Sequence, residues 1–120
     1  MPYLQTGNWD IDGNGSRGVL AIQAVDAQGR LNATVYGQRV VGWWDEQDRR
    51  ITFLRLINPN DPTSFQSFNG YAWDEPPDPD RPGRTTYYLA GSFETYAGAG
   101  GTAARPSYGW FARHQQPAPP

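Results

Sequence analysis

The chain contains no cysteine and no lysine, and it has a single histidine and a single methionine. Without cysteine there is no disulfide, no thiol nucleophile and no thiolate metal site. One histidine does not build a histidine-based metal centre unless several carboxylates join it. All ten basic residues are arginine, which reads as compositional bias ahead of Arg-specific contacts. Net charge is -2, so no bulk attraction to nucleic acid or to a membrane surface is expected. No apolar run approaches the ~20 residues of a membrane-spanning helix. The opening MPYLQTG lacks the basic and apolar regions of a secretory signal, so a cytoplasmic location is expected.

Apolar residues make up 38% of the chain, yet aromatics alone reach 14%. Each aromatic side chain buries ~150–250 Å², so rings supply much of the core that aliphatic residues supply elsewhere. A length of 120 residues suits one domain. Glycine and proline fall between the apolar runs and act as turn punctuation.

Nowhere does a helical period persist. Apolar residues alternate, or form short runs broken by Gly, Asn, Asp or Pro, which is the signature of an all-β barrel or sandwich. Eight strands are predicted: Gly7 to Asp12, Gly18 to Val25, Arg30 to Tyr36, Arg39 to Asp45, Arg50 to Ile57, Ser64 to Trp73, Arg84 to Tyr96 and Ser107 to Arg113. Asp12 to Gly15 and Asp26 to Gly29 carry hairpin chemistry, and Gly37-Gln38 fits a II′ turn. Every connection is short enough for neighbouring antiparallel strands. A meander leaves two open edges unless the first strand pairs with the last. The expected fold is therefore an eight-stranded antiparallel up-and-down β-barrel over residues 1–114, with a β-sandwich as the alternative. Residues 115–120 read as a disordered Pro-rich tail.

In such a barrel alternate loops share an end. One end collects Gly13 to Arg17, Gly37-Gln38, Asn58 to Thr63 and Ala97 to Arg105. Its long polar and Gly-rich loops make it the place for a ligand mouth, rimmed by Arg17, Arg39 and Arg105. The bulky residues Trp9, Trp44 (or Trp43), Trp73, Tyr88 and Trp110 are candidates to pack or line the interior. Of the adjacent Trp43 and Trp44, one must point outward.

Thr6-Gly7-Asn8-Trp9 resembles the Gly-x-Trp that opens calycin barrels: the lipocalins, fatty-acid-binding proteins and the avidin–streptavidin group. Gly29 to Thr34 is similar to the opening of the third avidin strand, and Tyr88 to Phe93 to a later one. The resemblance implies the barrel fold, and a fold does not by itself imply function; an outward Trp of the Trp43-Trp44 pair suggests a subunit interface on the barrel wall, as in avidin-type assemblies. The resemblance does not imply biotin binding. Ile11 stands where avidins carry Asn, Val35 where they carry Tyr, and Gly37-Gln38 where they carry a long lid loop.

No residue group forms a catalytic or metal-binding constellation, and no cofactor is expected. His114 reads as solvated, the acidic stretch Asp74 to Asp80 as a charged loop stiffened by proline, and Gly98 to Gly101 as a flexible hairpin loop rather than a phosphate cradle. Three functions follow in order. The first is a non-enzymatic barrel for a small apolar or amphipathic molecule. The second is a self-associating module with a solid core, forming a homo-oligomer. The third is a cofactor-free isomerase or cyclase, which requires a buried carboxylate inside the barrel.

Overall fold

The computed structural model describes residues 3–56, 60, 64–75, 80, 85–96 and 107–116. Arg105, the Gly98–Gly101 loop and most of the two proline-containing connections lie outside the described residues. Eight strands are present: β1 (Gly7–Gly13), β2 (Ser16–Val25), β3 (Leu31–Val35), β4 (Gln38–Asp45), β5 (Arg50–Leu56), β6 (Phe65–Asp74), β7 (Thr85–Tyr96) and β8 (Ser107–Gln116). Each pairs antiparallel with the next. β1 then pairs with β8, from Asp10↔Arg113 to Gly13↔Trp110, and the barrel closes. Closure excludes the sandwich and removes both sheet edges. β8 runs to Gln116, two residues into the stretch expected as tail, because Thr85 and Thr86 of β7 still offer it partners.

The turns follow their residues. Asn14-Gly15, with φ of 50° and 90°, makes the type I′ hairpin that such a pair favours. At Asp26 to Gly29 the Gly29 amide returns to the Asp26 carbonyl, and Gly29 takes φ 85°. The third hairpin corrects the expected turn by one residue. Tyr36 and Gly37, at φ 50° and 77°, form a type I′ turn. Tyr36 is held in this unusual conformation by its own side chain, whose hydroxyl donates to the Ser16 carbonyl at 2.6 Å. Gln38 thus becomes the first residue of β4.

Alternation sorts the walls. Along β4 Val40, Gly42 and Trp44 are buried, while Arg39, Val41, Trp43 and Asp45 are exposed. Trp44 is the inward member of the Trp pair, at 5% exposure against 48% for Trp43. In β2 the register shifts between Ile22 and Ala24. This bulge leaves Gln23 and Ala24 exposed and lets Val25 pack against the core.

The interior is filled in rows that cross the strands. Phe53, Phe68 and Phe93 are directly paired on β5, β6 and β7. Their rings stack at centroid distances of 4.7 Å and 4.8 Å. The next row holds Ile51, Gly70, Gly91 and Trp110. Gly70 leaves room for the Trp110 indole, which meets Phe53 and Phe68 edge-on, and Gly91 lets β7 approach the β6 backbone.

One barrel end is plugged by the segment before β1. Leu4 is buried there. The Tyr3 ring stacks on Trp44 and takes the Arg49 guanidinium at 3.7 Å from its centroid. The Tyr3 hydroxyl bonds to Asp74. Burial, aided by that carboxylate, raises the Tyr3 phenol well above its ordinary value. His114 is part of this end. It is half-buried, not solvated as expected, with its ring 5.3 Å from Trp9 and Nδ1 2.9 Å from the Asn8 carbonyl oxygen.

Candidate functional site

The opposite end holds a cavity of about 240 Å³. It sits above the stacked Phe rings, under the β1–β2 and β3–β4 turns. This is the end where the sequence placed a mouth. Phe93 and Tyr108 supply apolar wall, and Tyr36, Arg55, Gln66 and Thr95 supply polar groups. Arg55 carries the one formal charge among the described lining residues.

Arg55 enters the barrel by strand parity. On β5 Ile51, Phe53 and Arg55 share the inner face, and the first two are fully buried. Arg55 pairs across to Gln66 on β6, and Gln66 to Thr95 on β7. The three form a polar row directly above the Phe53, Phe68 and Phe93 row. Arg55 Nε donates to Gln38 Oε1 at 2.6 Å, and Nη1 to Gln66 Oε1 at 2.8 Å. Gln66 Nε2 in turn donates to Thr95 Oγ1 at 3.3 Å. The guanidinium carbon lies 4.9 Å from the Tyr36 ring centroid, within cation–π range. Tyr36 is itself seated on β2. A Cβ at Gly18 would come within 2.3 Å of its ring. Burial raises the Tyr36 phenol above its ordinary 10.0, and the nearby Arg55 acts in the opposite direction.

Of the sequence-derived candidates, three tryptophans lie inside the barrel as expected, and Arg17, Arg39 and Trp73 do not. Arg17 is on the outer wall, 3.8 Å from the Asp12 carboxylate with its side chain 89% exposed. Arg39 is also exposed, on the strand face opposite Gln38. Arg105 lies outside the described residues. Trp73 points outward and stacks on Tyr88, centroids 5.3 Å apart. Trp9, Trp44 and Trp110 are core, at 1%, 5% and 3% exposure, and fill the barrel below the mouth. Ile11 and Val35, the two positions where the resemblance places Asn and Tyr, are buried as well. Gly13, Asn14 and Ser16 of the expected mouth loop do line the cavity; Arg55 and Gln66 went unread because Gln66 is an unremarkable amide in sequence and Arg55 sits in a strand apolar on both faces.

Among the described residues, two larger depressions lie outside the barrel. A broad groove of about 690 Å³ outside the plugged end is lined by Val25 to Gly29 and Trp44 to Glu46. Although larger, it has its carboxylates already engaged. Hydrogen bonds from the Arg30 amide and side chain hold the Asp26 carboxyl below its ordinary value. Asp45 accepts from the Gln47 and Asp48 amides, and Glu46 from the Tyr3 amide and the Trp44 indole. A second groove, about 490 Å³, runs along the outer wall between Arg17, Phe111 and Arg113. It borders an aromatic face: Tyr71, Ala90 and Phe111 form one cross-strand row, and Trp73 and Tyr88 the next. Tyr71, Trp73 and Phe111 are 58%, 45% and 53% exposed.

Among the described residues no three His, Asp or Glu side chains come together to hold a metal ion. None of the described carboxylates is buried, and the mouth lining contains no carboxylate or histidine. Comparison with protein-family models, curated proteins and solved structures finds no match.

Proposed function

We propose that the protein is a non-enzymatic binding barrel of lipocalin- or avidin-like type, which takes a small amphipathic molecule at the mouth formed by the β1–β2 and β3–β4 turns. The observation that carries this reading is the contrast within the barrel. The barrel interior holds buried apolar side chains, and directly above the stacked Phe rings, in the mouth cavity, lies a polar row bordered by aromatic wall. Ligand sites are concavities in which a few placed polar groups meet apolar wall, and this cavity sets Tyr36, Arg55, Gln66 and Thr95 against the rings of Phe68, Phe93 and Tyr108.

The size sets the ligand class. About 240 Å³ falls below the roughly 300–1,000 Å³ of sites for drug-sized molecules. It corresponds to roughly eight waters at ~30 Å³ each. A single-ring compound fits, and a long acyl chain does not, because Phe68 and Phe93 floor the cavity. With so few atoms in contact, affinity is expected at about 0.1–1 mM. Backbone-amide NMR with a panel of single-ring compounds tests this. Shifts are expected at Tyr36, Phe93, Thr95 and Tyr108 and not at the plugged end. A panel that moves no mouth resonance at several millimolar overturns the reading.

A second reading rests on the outer wall. Tyr71, Trp73, Tyr88 and Phe111 form a contiguous aromatic face, and exposed patches of this kind mark interaction surfaces. Self-association through this face predicts an oligomer by sedimentation equilibrium that Trp73→Glu returns to monomer. A monomer at the highest soluble concentration removes this reading.

A further inference from the structure

We infer that the mouth selects a monoanion of the carboxylate class, held by Arg55. This rests on the binding reading of the same cavity. An arginine has five N–H donors in a rigid fork. Here Nε uses one on Gln38 and Nη1 uses one on Gln66. Three donors are left without a partner among the described residues. Both acceptors are neutral amide oxygens, and no carboxylate among the described residues pairs with Arg55. A half-buried cation whose hydrogen-bond partners are all neutral keeps its charge available to an anion from outside the chain.

The same bonds fix the fork. Gln66 is tied to Thr95, and Tyr36 covers one face of the guanidinium. Donors held in this way bind without first losing side-chain freedom, which favours a planar two-oxygen partner over a point charge. The lining supplies one positive charge among its described residues. One charge matches a carboxylate. A phosphate monoester, with about 1.5 to 2 negative charges at neutral pH, calls for more. The ring of the anion would then lie against Phe93 and Tyr108.

The test uses matched probes on the unaltered protein. Benzoate and benzamide have nearly the same shape and differ in charge. Benzoate is expected to bind roughly ten- to a hundredfold more tightly, the span of a charge-assisted hydrogen bond. Its binding should perturb the Arg55 Nε resonance. Arg55→Gln is expected to bring benzoate down to the benzamide level, and Arg55→Lys, which keeps the charge without the fork, to fall between. Equal affinity for the two probes overturns the anion assignment and leaves the mouth standing as a neutral site. Tighter binding of phenyl phosphate than of benzoate overturns the carboxylate assignment. If no probe of either charge shifts the mouth, the binding reading itself fails, and this inference with it.

Discussion

Trp110→Ala is expected to destabilise the protein by about 4 kcal/mol, within the range found for Trp or Phe truncated in a core. The indole is 3% exposed and meets Phe53 and Phe68 edge-on, with centroids 5.7 Å from each. Its Nε1 is shared between the Asn69 and Ser92 carbonyl oxygens, 3.1 Å from both. These two groups belong to β6 and β7, so one side chain on β8 ties three strands together. Truncation empties the row between Ile51 and the barrel seam and removes a donor from two strand carbonyls. The loss is a large part of the roughly 5–15 kcal/mol that stabilises a domain. The melting temperature should fall by about 15 °C. Trp43→Ala supplies the control. Trp43 projects from the outer wall at 48% exposure, and its removal should cost no more than about 1 kcal/mol. Urea unfolding followed by circular dichroism measures both. Equal effects from the two substitutions would mean that Trp110 does not fill the barrel.

Gly91→Ala should cost about 3 kcal/mol, the upper part of the usual range for overpacking. A Cβ at this position would lie 1.9 Å from the Asn69 carbonyl oxygen and 2.6 Å from the Gly70 Cα. Both obstacles are backbone atoms of the neighbouring strand. No rotamer change relieves them, so β6 and β7 must part where the Trp110 indole lies over Gly70. Gly109→Ala tests the explanation from the next strand. There the nearest atom, the Gly91 carbonyl oxygen, is 3.9 Å from the added Cβ, and the residue is exposed. With no clash, the smaller entropy of the unfolded chain makes this change neutral or stabilising by up to ~1 kcal/mol. Parallel denaturation curves decide the matter. If Gly91→Ala is as benign as Gly109→Ala, the close approach of β6 and β7 is not real.

These positions also show how far the sequence could be read. Gly70 and Gly91 look like weak points in strands when taken one at a time. Their meaning appears once they face each other across β6 and β7, Gly70 against the Trp110 ring of β8 and Gly91 against the β6 backbone. His114 looked solvated because it precedes a polar, proline-rich end, but β8 continues past it and presents it to Trp9. Arg17, Arg39 and Trp73 were drawn from the correct strands and turns. The two arginines miss the mouth, and Trp73 the interior, because strand parity puts them on the outer wall.

The order and number of strands, the antiparallel meander and the end carrying the mouth were set by the sequence, since period-two burial and turn chemistry are local properties that each short stretch displays unaided. Which side chains meet in the mouth was decided by the tertiary structure. Gln38, Arg55, Gln66 and Thr95 come from four strands and become neighbours only through the register of the closed sheet. β5 reads Ile51-Thr52-Phe53-Leu54-Arg55-Leu56, with apolar residues on both faces, so no local pattern says which way Arg55 points. Closure of the barrel makes one of those faces an interior, and that places the charge.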